Sequence, residues 1–170
     1  MIRVILLAAT LVAQPVSRIE QTENQSMLAP AFALKDVKGR IARLGDYKGK
    51  VVLLNFWATW CAPCQAEMPA LVKWQKEYRA RGLQIVGVTY PPEKRSRVLR
   101  AIRRFKLNYP VLFGTLEMAE AYDAGEVLPT TIIIDREGKI RGRILGIVEP
   151  EEFKEKVEPL LMASIAAHEK

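Results

Sequence analysis

The sequence predicts an α/β fold centred on a strand–helix–strand unit whose two strands run parallel. Three observations lead there. Val51 to Leu54 is an apolar, β-branched run of the length of a strand buried on both faces. A helical pattern follows as far as Arg81, with Leu71, Trp74 and Tyr78 at helical spacing and Gly82 at its end. Gln84 to Thr89 is then a second apolar strand, and strand, helix and strand in that order bring the chain back parallel to its start.

The remaining elements are read from the N-terminus. Met1 to Ala13 carries Arg3 and then an apolar run from Val4 broken only by Thr10. That run is about half the length of a bilayer-crossing helix and matches the apolar part of a signal peptide. Cleavage after Ala13 would leave Leu11 where a small residue is usual, so an uncleaved short anchor stays open. No cysteine follows the run, which excludes lipoprotein anchoring. Residues 14–28 read as a polar linker, 29–163 as the folded domain and 164–170 as a tail. Such a leader places the catalytic part outside the cytoplasm.

Within the domain, Phe32 to Leu34 and Ile41 to Leu44 flank Asp36-Val-Lys-Gly39 as a hairpin, and Tyr47 to Lys50 turns into the central strand. Pro69 lies inside the long helix and is expected to kink it. Tyr90-Pro91-Pro92 breaks the chain, and Ser96 to Phe105 forms a helix with Val98, Ile102 and Phe105 on one face. A short strand from Tyr109 to Phe113 and a short helix from Leu116 to Tyr122 follow. Thr131 to Asp135 and Ile140 to Leu145 are strands joined by a turn at Arg136 to Lys139. One closing helix is expected over Pro150 to Met162, with Phe153, Val157, Leu160 and Leu161 as its apolar stripe.

Composition narrows the function. With 49% hydrophobic and 26% charged residues the chain is an ordinary globular protein, and two cysteines make no disulfide framework. The net charge of +7 is unevenly spread: Glu93 to Lys106 holds seven basic residues against one acid. No aromatic platform or nucleic-acid motif accompanies that charge, so nucleic acid is not the expected partner. The segment Lys94 to Lys106 is instead either a solvated face or a docking surface for an anionic membrane or an acidic protein.

The cysteines, Cys61 and Cys64, sit where the helix begins. One turn brings residues three apart onto one face, close enough for a disulfide. The unpaired N–H groups and positive end of the helix stabilise a thiolate on the first cysteine, and Pro63 fits a first turn. As scaffolding the pair would do little, because closing so small a ring contributes only about 2 kcal/mol. A structural zinc site needs four ligands, and the only histidine is His168 near the C-terminus. Reversible dithiol exchange comes well ahead of these readings.

Phe56-Trp-Ala-Thr-Trp-Cys-Ala-Pro-Cys64, Pro69 and Leu128-Pro129-Thr130 together resemble the thioredoxin superfamily, and more narrowly its TlpA/ResA-like extracytoplasmic thiol-disulfide oxidoreductases. The similarity spans about Ala29 to Met162. It implies a thioredoxin fold with an N-terminal β-hairpin extension and a helix/strand insertion at roughly Tyr90 to Ala121, between the second core strand and a cis-Pro129 strand. It further implies Cys61 as an exposed nucleophile, Cys64 as the resolving thiol, and substrate contacts from Trp60, Ala62, Pro63, Leu128, Pro129 and Thr130. The chain has Asn55 where cytoplasmic thioredoxins carry a buried aspartate. Glu67 matches the acidic residue of the ResA-like branch, and half-buried near the sulfurs it would have a raised pKa and relay protons to Cys64.

The implied activity is reduction of disulfides in exported proteins, for example during cytochrome c maturation, recharged by an upstream membrane thiol reductase. The disulfide is itself the redox group, with no cofactor and no metal. Two alternatives share the fold. A thiol peroxidase would want a proline and a threonine where Leu54 and Ala58 stand. A copper-delivery module would add a histidine ligand, and the candidate is His168.

Overall fold

The computed structural model describes residues 28–162. The leader, nearly all of the linker, and the tail with His168 lie outside these residues.

A hairpin comes first, β1 (Ala33–Lys35) paired antiparallel with β2 (Ile41–Arg43), and a 3-10 turn over Leu44–Tyr47 follows it. The core elements are β3 (Val51–Trp57), α1 (Ala62–Tyr78), β4 (Leu83–Thr89), α2 (Arg95–Phe105), β5 (Val111–Phe113), α3 (Leu116–Ala121), β6 (Thr130–Ile134) and β7 (Ile140–Leu145). The five-stranded sheet runs in the order β5-β4-β3-β6-β7. β3, β4 and β5 are parallel, while β6 and β7 alternate antiparallel. The expected strand–helix–strand unit is thus β3-α1-β4, and the expected insertion is α2-β5-α3. The insertion's strand joins the sheet as its edge. The N-terminal hairpin partly covers that edge through a bridge between Asp36 and Leu112 and a bond from the Val37 N–H to the Val111 carbonyl.

The unbroken apolar run of β3 is explained by burial on both faces. Val51, Leu53 and Trp57 pack into one core layer with Met68, Leu71, Trp74 and Phe153. Val52, Leu54 and Phe56 pack into the other, with Phe32, Tyr47, Met118 and Tyr122. Because strand side chains alternate, Asn55 falls on the same face as Leu53 and Trp57, the face that α1 covers. That parity places the strand's single polar residue in the catalytic layer.

The helix ends where the sequence places it. α1 gives way to a 3-10 turn over Arg79–Arg81, and Gly82 caps it at φ 90°, a left-handed conformation costly for any side chain. Two hairpin turns share one design. Asp36 accepts the backbone N–H groups of Lys38 and Arg40, and Asp135 those of Glu137 and Lys139. Each carboxylate also pairs with an arginine, Arg40 or Arg141. Burial pushes both pKa values up, but these donors outweigh it and hold each carboxyl below its ordinary value.

The closing helix differs from expectation. It is two helices, α4 (Pro150–Lys156) and α5 (Glu158–Met162), broken at Val157. Pro159 has no N–H to donate to the carbonyl four residues earlier, so the first helix cannot continue through it. The apolar stripe survives the break. Phe153, Val157 and Leu161 are all buried, with Phe153 stacked on Trp74 at 4.2 Å between ring centroids.

Candidate active site

β3 delivers the chain to the N-terminus of α1, and Cys61 is the residue that caps it. Its backbone is still extended, at φ −80° and ψ 107°, and its sulfur accepts the Cys64 N–H at 3.2 Å. Pro63 lies in the first turn, where a missing N–H breaks nothing. No acid occupies that turn, so the positive end of the helix acts unopposed on the Cys61 sulfur. Cys61 and Cys64 form a disulfide, with their Cα atoms 5.3 Å apart.

The two sulfurs differ in access. Cys61 borders a groove of about 540 Å³ that is walled by Trp60, Ala62, Pro63, Tyr90, Pro91 and Leu128. Cys64 does not border it and is 0% exposed. Cys61 is only 5% exposed, not the openly exposed residue expected. Its sulfur is bonded to that of the sealed Cys64, and what projects outward is Trp60, 63% exposed. Groove access and surface exposure are therefore different properties of this cysteine.

The structure gathers Trp60, Cys61, Ala62, Pro63 and Leu128 around that groove. Pro129, whose bond to Leu128 is cis as expected, lies buried behind them. Thr130, expected among the substrate contacts, does not line the groove with its side chain. It is 1% exposed as the first residue of β6, and its hydroxyl donates to the Val127 carbonyl at 2.7 Å. Thr130 is paired on both sides, opposite Phe56 of β3 and Leu145 of β7. The Pro129 carbonyl is likewise taken, by the Gly146 N–H. The Leu128 backbone makes no hydrogen bond among the described residues, as is also true of Gly125 and Glu126 before it.

Glu67 is buried at 1% exposure, deeper than the half-buried position expected, because β3 and the Val148 loop close over it. The Asn55 amide donates to Oε1 at 2.8 Å and the Val148 N–H to Oε2 at 3.2 Å. Burial raises the carboxyl's pKa, the two donors lower it, and burial wins, leaving it at about 7 against an ordinary 4.5. Glu67 therefore gains and loses its proton near neutrality.

Sequence reasoning singled out Asn55 but missed that it holds Glu67, and missed Val148 altogether. Asn55 spends its second amide hydrogen on the Thr131 hydroxyl, its cross-strand neighbour, at 3.0 Å. The amide is thereby fixed between strand and helix. A signal was present, since Asn55 is the lone polar residue in Val-Val-Leu-Leu-Asn-Phe-Trp. Two further groove residues were also missed. Tyr90 precedes a second cis proline, Pro91, and packs against Gly125. A Cβ at Gly125 would meet the Tyr90 ring at 2.7 Å, and its φ of 116° is closed to other residues.

Comparison with known proteins places this geometry. A family model described as the AhpC/TSA family matches residues 26–143. Thiol-disulfide oxidoreductase ResA of Geobacillus thermodenitrificans is 39% identical over 133 residues, covering 78% of this chain and 75% of that protein. The chain belongs to the AhpC/TSA family, among its thiol-disulfide oxidoreductases. The thioredoxin-like protein YneN of Bacillus subtilis is also 39% identical, over 85% of both chains. Among solved structures, a thiol:disulfide interchange protein of the thioredoxin family from Chlorobium tepidum superposes on this oxidoreductase with a TM-score of 0.74 at 30% identity. It covers 82% of this chain and 99% of its own. In this oxidoreductase Leu54 and Ala58, which stand where a peroxidase would want its proline and threonine, are both buried apolar residues.

Proposed function

We propose that this oxidoreductase reduces disulfides of other proteins, with Cys61 as nucleophile, Cys64 as resolving thiol and Glu67 as the proton acceptor for Cys64. The observation that carries the assignment is the asymmetry of the pair, since Cys61 faces the groove from the helix cap and Cys64 is sealed. In the reduced enzyme the Cys61 thiolate attacks one sulfur of a partner disulfide. That S–S bond breaks, the other partner sulfur leaves as thiolate, and a mixed disulfide remains. Cys64, three residues before Glu67 on the same helical face, gives its proton to the Glu67 carboxylate and attacks the Cys61 sulfur. The second partner sulfur leaves and takes up a proton, and two electrons have passed from the cysteine pair to the partner.

Trp60, Ala62, Pro63 and Leu128 are among the residues a partner segment would meet in the groove, and the Leu128 backbone groups, which make no hydrogen bond among the described residues, suit pairing with an extended chain. Pro129 holds that loop behind them. The direction of electron flow is towards the partner, with an upstream membrane thiol reductase recharging the pair and the disulfide as the only redox group. The leader pattern of Met1 to Ala13 supports an extracytoplasmic location, periplasmic or secreted if cleaved and anchored if not. Among the described residues no helix is long and apolar enough to cross a membrane. Exported proteins, apocytochrome c among them, are the substrate class this location admits.

Single-cysteine variants test the roles. Cys64→Ser should accumulate a mixed disulfide with a protein substrate, and Cys61→Ser should accumulate none. The reverse pattern would exchange the assignments. The reduction potential tests direction. A couple near about −270 mV acts as a reductant, whereas one near about −120 mV acts as an oxidant and refutes the proposed direction.

A further inference from the structure

The function just proposed leaves the charged segment unused. Helix α2 forms one wall of a second groove, of about 560 Å³, whose opposite wall includes Thr59 and Trp60 next to Cys61. Arg97, Arg100, Arg103 and Arg104 line it from α2. All four are exposed, and none is in an ion pair among the described residues. The segment's one acid, Glu93, does not neutralise them. Its carboxylate accepts the Thr59 N–H at 2.6 Å and also the Thr59 hydroxyl, which ties the start of α2 to the active-site loop.

Most of this charge does not serve the helix itself. The first turn of α2 has no acid, Lys94 caps it without a side-chain bond, and Arg95 and Arg97 stand at its positive end, where cations are repelled. Only Arg103 and Arg104, in the last turn, gain from the dipole. The Arg104 guanidinium lies 5.1 Å from the Phe105 ring centroid, within reach of a cation–π contact. Guanidinium groups without an ion-pair partner, gathered in a concave surface, are suited to carboxylates.

We propose that this groove docks an acidic segment of the partner protein, with Asp or Glu side chains on the α2 arginines while the partner's disulfide lies over Cys61. The proposal rests on the redox reading above and narrows it to a class of substrate. Trp60 borders both grooves, so a chain that crosses it enters both. An anionic bilayer pressed on the same arginines would instead cover Trp60 and hinder access to Cys61. That geometry favours a protein segment over a membrane.

The test uses the reduced full-length protein and two disulfide-containing peptides that differ only in flanking residues, Glu in one and Gln in the other. The acidic peptide should be reduced on the order of tenfold faster at low ionic strength, and the ratio should fall towards one as salt screens the charges. Combined Arg97→Gln, Arg100→Gln and Arg104→Gln substitution should bring the ratio to about one at every salt concentration. Comparing ratios cancels any change in the thiol chemistry itself. If the triple variant fails to fold and reduces neither peptide, Arg100→Gln alone should still lower the ratio. Equal rates at low salt, or a ratio that survives substitution, overturn the proposal. Arginine-dependent binding to phosphatidylserine vesicles without a peptide preference overturns it in favour of a membrane surface. Failure of the wild type to reduce even the neutral peptide would refute the redox reading instead.

Discussion

Replacing Glu67 by glutamine removes one buried titration and little else in volume, which makes its effect on stability calculable. The carboxyl's pKa is 4.5 when solvated and about 7 in the fold. Because the folded value is the higher one, the folded state holds the proton more tightly than the unfolded state between those limits. Stability is therefore greatest below the solvated value and is lost as pH rises through the folded one. At about 1.4 kcal/mol per unit, the loss amounts to about 3 kcal/mol between about pH 4 and about pH 8. Tyr109, whose pKa is raised by burial and then by the Glu67 charge, stays neutral throughout and adds nothing. Glu67→Gln carries a separate cost. Its amide must meet two donors, the Asn55 amide and the Val148 N–H, with a single acceptor, at about 1–3 kcal/mol. That cost is the same at every pH. Urea unfolding of the oxidised wild type and variant across this range should thus give a stability difference that shifts by about 3 kcal/mol in the variant's favour towards high pH. Parallel profiles, with the difference drifting by less than about 0.5 kcal/mol, would refute the claim that burial controls this carboxyl.

Two other substitutions probe its surroundings. Asn55→Ala removes the amide that favours the ionised carboxylate, so the Glu67 pKa should rise further and the pH profile of the resolving step should move alkaline by roughly one unit. An unmoved profile in stopped-flow thiol exchange would show that Glu67 does not take the Cys64 proton. Phe153→Ala empties the layer where that ring stacks on Trp74 and meets Tyr78 at 5.1 Å, and should cost about 3–5 kcal/mol in denaturant titrations. A cost below about 1 kcal/mol would mean that α4 is not integral to the core.

Strand and helix identities were legible wherever apolar periodicity was strong. β3, α1 and β4 stand close to where their residues place them, because a strand buried on both faces and a helix ended by Gly82 leave few alternatives. The closing helix was misread because its apolar spacing continues through Pro159, and periodicity does not register a missing backbone donor. Burial depth was less legible still. Glu67 reads as half-buried on a helix considered by itself, and it takes β3 together with the Val148 loop, about eighty residues downstream, to seal it.

The chemistry's raw material can be read along the chain: two sulfurs one turn apart at a helix start, a carboxyl on the same face, and a positively charged helix elsewhere. Those are local facts, written in spacing and composition. Only the tertiary structure decided that Cys64 is sealed while Cys61 meets a groove, that Asn55 steadies Glu67, and that the arginines of α2 face Trp60. Each of these depends on which distant elements pack together. Solvent access, desolvation and the convergence of charges are set by that packing, and no spacing along the chain encodes them.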